Sequence, residues 1–315
     1  MVPHTTPPCW PDIRPGRFAA AIIRNHQPAD AKTRSLPGIA AGCKVALIGL
    51  PDDTGVYLNN GRVGARLGPT AFRAALSRYG VADSSLPPVF DAGDIAIGQD
   101  IHETHHRITA AVETLLAMGL FPIGIGGGHD LTFPFVRAVA RHIGNHAEPM
   151  KGIYLDAHLD VRAEIGSGMP FRRLVEDCRV TSLTCIGADP FANSAEHLAW
   201  FNSHGGSIQS APDAERDSFA GREPTCFVTT SPLFVSIDLD CLNVANAPGV
   251  SAINPVGLTP QTVAWHAHCA GRSPHVRCFD IMELNPTYDI DNRTARLAAH
   301  LFLQFLRGFA ERASF

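Results

Sequence analysis

The chain lacks any long hydrophobic run. Nowhere in its 315 residues is there a stretch approaching the roughly 18 to 20 apolar residues that a membrane span requires. The first thirty residues, MVPHTTPPCWPDIRPGRFAAAIIRNHQPAD, are too Pro-rich and interrupted for a signal-peptide core, so a cytoplasmic protein is expected. Basic runs are missing too: 26 Lys and Arg stand against 30 Asp and Glu, for a net charge of -4. That balance offers no electrostatic footprint to nucleic acid or an anionic membrane, so the expected partner is a small molecule or another subunit. Eight cysteines (Cys9, Cys43, Cys178, Cys185, Cys226, Cys241, Cys269 and Cys278) are scattered without a CxxC pair. This argues against a zinc ribbon or a small disulfide scaffold and reads as reduced, mostly buried thiols. There is no GKS, GKT or GxGxxG to cradle a phosphate, no internal repeat and no second-domain break.

What is present is ordinary globular composition, 45% hydrophobic and 18% charged. Residues 1–42 are Pro- and polar-rich and read as an N-terminal extension. From Lys44 onward, short apolar runs alternate with stretches of helical spacing: KVALIGLP, PVFDAGDI, LFPIGIGGG, GIYLDAH, VTSLTCIGA, PLFVSIDLD and VRCFDIMEL. Near-continuous apolar strands between helices predict a mainly parallel sheet covered on both faces. Helices are expected over 69–79, 102–118, 131–142, 197–204, 260–270 and 294–309. Residues 189–230 are expected to hold a helix, a short strand around GSIQS and a long surface connection.

Ligand sites of open parallel sheets lie beyond the carboxyl ends of the strands. Three of those ends are unusual. PIGIGGGHD places His129 and Asp130 after three glycines, which let the backbone approach a ligand closely. YLDAHLDVR carries Asp156, His158 and Asp160 at every second residue, and LFVSIDLD carries Asp238 and Asp240, with Ser236 before them. On an extended strand, side chains at i, i+2 and i+4 share one face. Converging carboxylates repel unless protons or cations compensate them, and the imidazoles in the same rows make a metal the simpler compensation. The plainer alternative for any one motif is a row of polar residues on a strand-to-loop edge. An oxygen-rich, imidazole-containing, thiolate-free set suits Mn(II), and four carboxylates can hold two divalent ions.

GGGHD, DAHLD and SIDLD, in this order, resemble the ureohydrolase superfamily of arginases, agmatinases and formimidoylglutamases, over residues 43–309. The resemblance implies a single-domain, three-layer α/β/α fold with a mainly parallel sheet of about eight strands, here residues 43–315 after the extension. It implies two Mn2+ ions per subunit: His129 and Asp160 on the first, His158 and Asp240 on the second, Asp156 and Asp238 bridging. A metal-bridging hydroxide would then attack an amidine or guanidine carbon, Asp160 would relay its proton to the departing nitrogen, and Glu283 in FDIMELNP would hold the cationic end of the substrate. Arginases and agmatinases carry a histidine where this chain has Ser167. The SGMPF sequence there, with Met169 in place of the usual Thr, is closest to formimidoylglutamases, as are Arg162 and the GVYLNNGRVGARLGP segment.

The implied reaction is N-formimidoyl-L-glutamate plus water to L-glutamate and formamide, a step of histidine degradation. A substrate with two carboxylates needs donors, and Arg62, Arg162 and Arg172, with Asn60 and Ser167, are the candidates. Agmatinase, guanidinobutyrase, another guanidine hydrolase, and a non-catalytic arginase-like binding protein are the alternatives. The resemblance also implies a homo-oligomer, trimer or hexamer. Cys241, directly after Asp240, is a candidate redox-sensitive thiol. His102, His105, His106, His142, His146, His266 and His268 lie off the strand ends and receive no metal role.

Overall fold

The computed structural model describes residues 2–25, 40, 42–82, 85–144 and 148–312. His146 lies outside them. Among the described residues the strands are β1 (Thr5–Thr6), β2 (Ile23–Arg24), β3 (Val45–Leu50), β4 (Val89–Ile95), β5 (Phe121–Gly126), β6 (Lys151–Leu155), β7 (Ser182–Ile186), β8 (Gly206–Gln209), β9 (Leu233–Asp238) and β10 (Val276–Met282). They form one ten-stranded sheet in the order β1-β4-β3-β5-β10-β9-β6-β7-β8, with β2 also pairing β4. Every pairing is parallel except β1 with β4. The eight strands expected from the apolar runs and GSIQS are all present. The two additional ones are two-residue pieces of the N-terminal extension laid on the edge of β4.

The helices are α1 (Thr54–Leu58), α2 (Gly68–Leu76), α3 (Ile101–Ala117), α4 (Thr132–Ile143), α5 (Pro170–Cys178), α6 (Ala195–Ser203), α7 (Ala211–Phe219), α8 (Pro260–Arg272) and α9 (Arg293–Ala310). Side chains on a strand alternate between faces, and the core divides accordingly. Val45 and Leu47 of β3, Ile153 and Leu155 of β6, and Val235 and Ile237 of β9 pack with α2, α7, α8 and α9. Ala46, Ile48, Tyr154 and Phe234 point the other way and pack with α3, α4, α5 and α6. The result is the three-layer α/β/α sandwich.

All six expected helices are present, displaced by no more than a few residues. Three were not anticipated. Helix α1 is a five-residue turn containing Gly55, and α5 begins at Pro170 inside the segment read as a substrate loop. Helix α7 buries only Ala214 and Ser218, so it has no apolar stripe to betray it.

One buried ion network ties the edge together. Arg73 of α2 meets Asp91 through Nε at 2.8 Å and Nη2 at 2.9 Å, and Asp94 through Nη1 at 2.6 Å. Trp10 of the extension donates to the same Asp91 at 2.8 Å. Five neighbouring strands, β3, β5, β10, β9 and β6, end at one sheet edge, and their following loops build the site.

Candidate metal centre

Two of these loops solve the same local problem in the same way. Strand β6 ends at Leu155, and Asp156 Oδ1 accepts the His158 backbone N–H at 2.6 Å. Strand β9 ends at Asp238, whose Oδ1 accepts the Asp240 N–H at 2.8 Å as the chain enters a 3-10 turn. Each aspartate closes a side-chain-to-backbone turn that folds the residue two positions on back toward it. The expectation that 156, 158 and 160 share one strand face is therefore corrected: only the run up to Leu155 is strand. Convergence is produced by the turn and by Asp160, whose φ of 48° is left-handed.

The β5 loop supplies His129. Its glycines serve close approach, since a Cβ on Gly127 would lie 2.0 Å from the Asp52 carbonyl oxygen. The His129 Nδ1 stands 2.9 Å from Asp160 Oδ2, 3.1 Å from Asp238 Oδ2 and 3.2 Å from Asp156 Oδ2. His158 Nδ1 stands 3.2 Å from Asp240 Oδ2 and 3.3 Å from Asp156 Oδ1. Donor atoms thus gather in two overlapping groups, His129/Asp156/Asp160/Asp238 and Asp156/His158/Asp240, each compact enough for one ion. Asp156 belongs to both.

These groups demand positive charge. Burial, then repulsion from Asp160 and Asp240, pushes Asp156 up to about 6. Burial, then Asp240 and Asp156, drives Asp238 well above the usual carboxylate range. For His129 burial opposes protonation, but contact with Asp156, Asp160 and Asp238 outweighs it and raises the imidazole. His158 is raised too, chiefly by Asp240. His129 Nδ1, Asp156 Oδ2 and Asp240 Oδ1 are nevertheless buried without a hydrogen-bond partner. The His129 Nδ1–Asp156 Oδ2 contact is close without being aligned as a hydrogen bond. Two imidazoles and four carboxylates gathered within ligand-sharing distance, with His129 Nδ1, Asp156 Oδ2 and Asp240 Oδ1 buried and unpartnered, fit a pair of divalent cations.

Supporting contacts include several side chains the sequence reading did not single out. His129 Nε2 lies 3.0 Å from Ser236 Oγ, which donates to Asp280 Oδ1 at 2.5 Å, while Thr132 donates to Asp280 Oδ2. That arrangement leaves Nδ1 as the outward ligand atom. Asn193 accepts from Leu159 N–H at 2.8 Å and donates to the carbonyls of Ala157 and Asp189, and the Tyr154 hydroxyl donates to Leu159 O.

A cleft of about 310 Å³ opens onto the donors, lined by Asn60, Arg62, Arg162, Ser167, His197 and Glu283 among others. Glu283 sits in left-handed backbone at φ 65°; its Oε1 accepts the His129 N–H at 2.8 Å and its Oε2 has no partner. Burial lifts its carboxyl to about 8. Arg62 lines the cleft but spends its donors on the carbonyls of Pro248, Val250 and Ser251 and stacks on Tyr288. Arg162 packs along Gly168 and pairs with no carboxylate among the described residues. Arg172 is not brought in: on α5 it pairs with Glu176 at 2.9 Å and stacks on Trp200. Cys241 is fully buried, and burial holds its thiol well above the usual range, which disfavours the reactive thiolate.

The arginase family profile matches residues 43–307. The chain belongs to the arginase family. Formimidoylglutamase of Ralstonia nicotianae is 35% identical over 84% of this chain and 85% of its own length, and that of Hahella chejuensis 34% over 89% and 88%. The Trypanosoma cruzi formiminoglutamase structure with Mn2+ superimposes with a TM-score of 0.79 at 33% identity, covering 86% of this chain and 95% of that one. Proclavaminate amidino hydrolase from Streptomyces clavuligerus gives 0.75 at 28% identity, covering 86% and 93%. In this arginase-family chain no described helix is long and apolar enough to cross a membrane.

Proposed function

We propose that the protein is a formimidoylglutamase: a hydrolase that splits the amidine C–N bond of N-formimidoyl-L-glutamate with water, giving L-glutamate and formamide. The observation that carries the reading is the meeting, in one cleft, of two overlapping His/Asp donor groups, a buried carboxylate and an uncommitted guanidinium. His129, Asp156, Asp160, Asp238, His158 and Asp240 would hold two Mn2+ ions. Bound there, the ions supply concentrated positive charge and lower the pKa of water in the site.

The chain's own groups account for the rest. Glu283 presents Oε2 to the cationic amidine and orients it. Asp160 is the most open of the four aspartates, its side chain 12% exposed, and its carboxylate carries the proton from the attacking water to the departing nitrogen. Arg162 meets a glutamate carboxylate, with Asn60 and Ser167 as neutral donors beside it. Arg62 braces the wall from behind. Agmatine has no carboxylate and would leave Arg162 unmatched. This reading places the protein in the cytoplasm, in histidine breakdown, as a homo-oligomer.

The test is product release by the manganese-loaded protein offered N-formimidoyl-L-glutamate, arginine, agmatine and guanidinobutyrate in parallel. Turnover of the first alone is expected. Preferential turnover of a guanidine would overturn the substrate assignment and the Arg162 role together.

A further inference from the structure

Beneath the metal centre lies a buried polar pair that the proposed reaction does not use. His105 Nε2 of α3 is 2.9 Å from Oδ2 of Asp130, the residue after His129, and the two residues are only 5% and 1% exposed. His105 is held firmly on its helix. Its carbonyl receives Arg137 Nη2 and Thr109 Oγ1, each at 3.1 Å, and Phe133 packs edge-on against its ring. The other Asp130 oxygen, Oδ1, is buried with no hydrogen-bond partner. It lies against α1: a Cβ on Gly55 would fall 1.9 Å from it, and one on Gly128 2.7 Å. No larger residue at 55 can sit there without moving α1 or the carboxylate.

Helix α1 in turn carries one wall of the cleft. The Gly55 carbonyl accepts the Ser167 N–H at 2.9 Å, and Asn59 Nδ2 donates to Ser167 Oγ at 3.2 Å. Asn59, Asn60 and Ser167 all line the cleft. A continuous chain of contacts therefore runs from α3 through His105 and Asp130 to Gly55 and on to Ser167, beginning one residue from His129.

We propose that His105 and Asp130 form a positioning pair that sets the spacing between the substrate wall, made by α1 and the Ser167 loop, and the metal-ligand turn at His129. Asp130 is the spacer and His105 fixes its rotamer. The role is geometric and moves no proton. It rests on the reading that this wall contacts the substrate, and it adds a specificity determinant that touches neither substrate nor ion. Without His105, Asp130 turns, α1 loses its stop, and the Ser167 and Asn60 donors drift from the position that matches the glutamate end.

The experiment compares wild type with His105→Leu, His105→Gln and Gly55→Ala as full-length, manganese-loaded protein. Hydrogen–deuterium exchange is read on peptides spanning 54–60 and 163–169, and KM and kcat are measured for N-formimidoyl-L-glutamate. His105→Leu and Gly55→Ala are expected to speed exchange in both peptides and raise KM about tenfold, with manganese content kept and kcat within about threefold. His105→Gln, whose amide N–H can reach Asp130, is expected to restore both. Unchanged exchange in the two peptides, a uniform rise across the whole protein, loss of manganese, or failure of Gln to rescue would overturn the proposal. Should wild type not turn over this substrate, the proposed function fails, while the exchange comparison still decides the positioning role.

Discussion

Three residues of the site, Asn60, Asp160 and Glu283, hold left-handed backbone at φ 58°, 48° and 65°. Such conformations cost non-glycine residues about 1–3 kcal/mol and cluster where function needs a side chain aimed against its local preference. Asp160 and Glu283 were singled out as candidates by their strand-end position and the motif resemblance; their conformation was not legible, because no local pattern encodes it. The Ser236–Asp280 support of His129 was equally hidden, since the two are 44 residues apart and meet only across neighbouring strands. Ser236→Ala removes the partner that fixes His129 Nε2 and is expected to weaken manganese binding about 10- to 100-fold in a chelator competition. An unchanged affinity would mean that the ring is oriented by packing alone. Arg162→Met is expected to raise KM for N-formimidoyl-L-glutamate with little change in kcat, as loss of ground-state binding does; a drop in kcat at constant KM would instead place Arg162 near the reacting atoms.

Periodicity made some elements legible but not all: α5 was missed although it buries Pro170, Phe171, Leu174 and Cys178, and α6 was found although it buries only Phe201. Helix α4 buries Phe135, Val136 and Val139 along one face, with Phe133 also buried, and was visible; α7, with two buried residues, was not. The 156–160 segment shows the opposite error, since its i, i+2, i+4 spacing imitates a strand while the chain actually turns. Its shape is held by Asn193 and Tyr154, which lie outside residues 156–160. Asn193→Ala leaves the Leu159 N–H without its partner, while the Ala157 carbonyl keeps the Asp189 N–H, a part-buried hydrogen-bond loss of about 1–3 kcal/mol concentrated in one loop. The expected result is faster amide exchange in residues 156–160 and a lower kcat, with the exchange of β6 itself unchanged. If kcat survives intact, Tyr154 alone braces the loop.

At the scale of the whole molecule, two devices set stability. Arg73 is 1% exposed and faces Asp91 at 0% and Asp94 at 13%. Replacing it with Met leaves Asp91 buried beside a neutral side chain, and urea unfolding is expected to show a loss of about 3–5 kcal/mol. On the proposed function, bound manganese is the second device: stripping it with chelator would remove ions that bind only the folded state, worth about 4 kcal/mol at a thousandfold excess over Kd, so the unfolding midpoint should fall and return when metal is restored. A midpoint indifferent to chelator would argue against occupancy of the His/Asp cluster. The α/β class, the main strands and the candidate site residues were legible in the linear chain, because burial periodicity and residue type are local properties. Only the tertiary structure decided which of them act together. It placed Arg162 in the cleft and Arg172 outside it, closed the aspartate turns, and joined Ser236 to Asp280 and His105 to Asp130. Those outcomes depend on side-chain direction and on distances across strands and layers, and a linear chain contains neither until it packs.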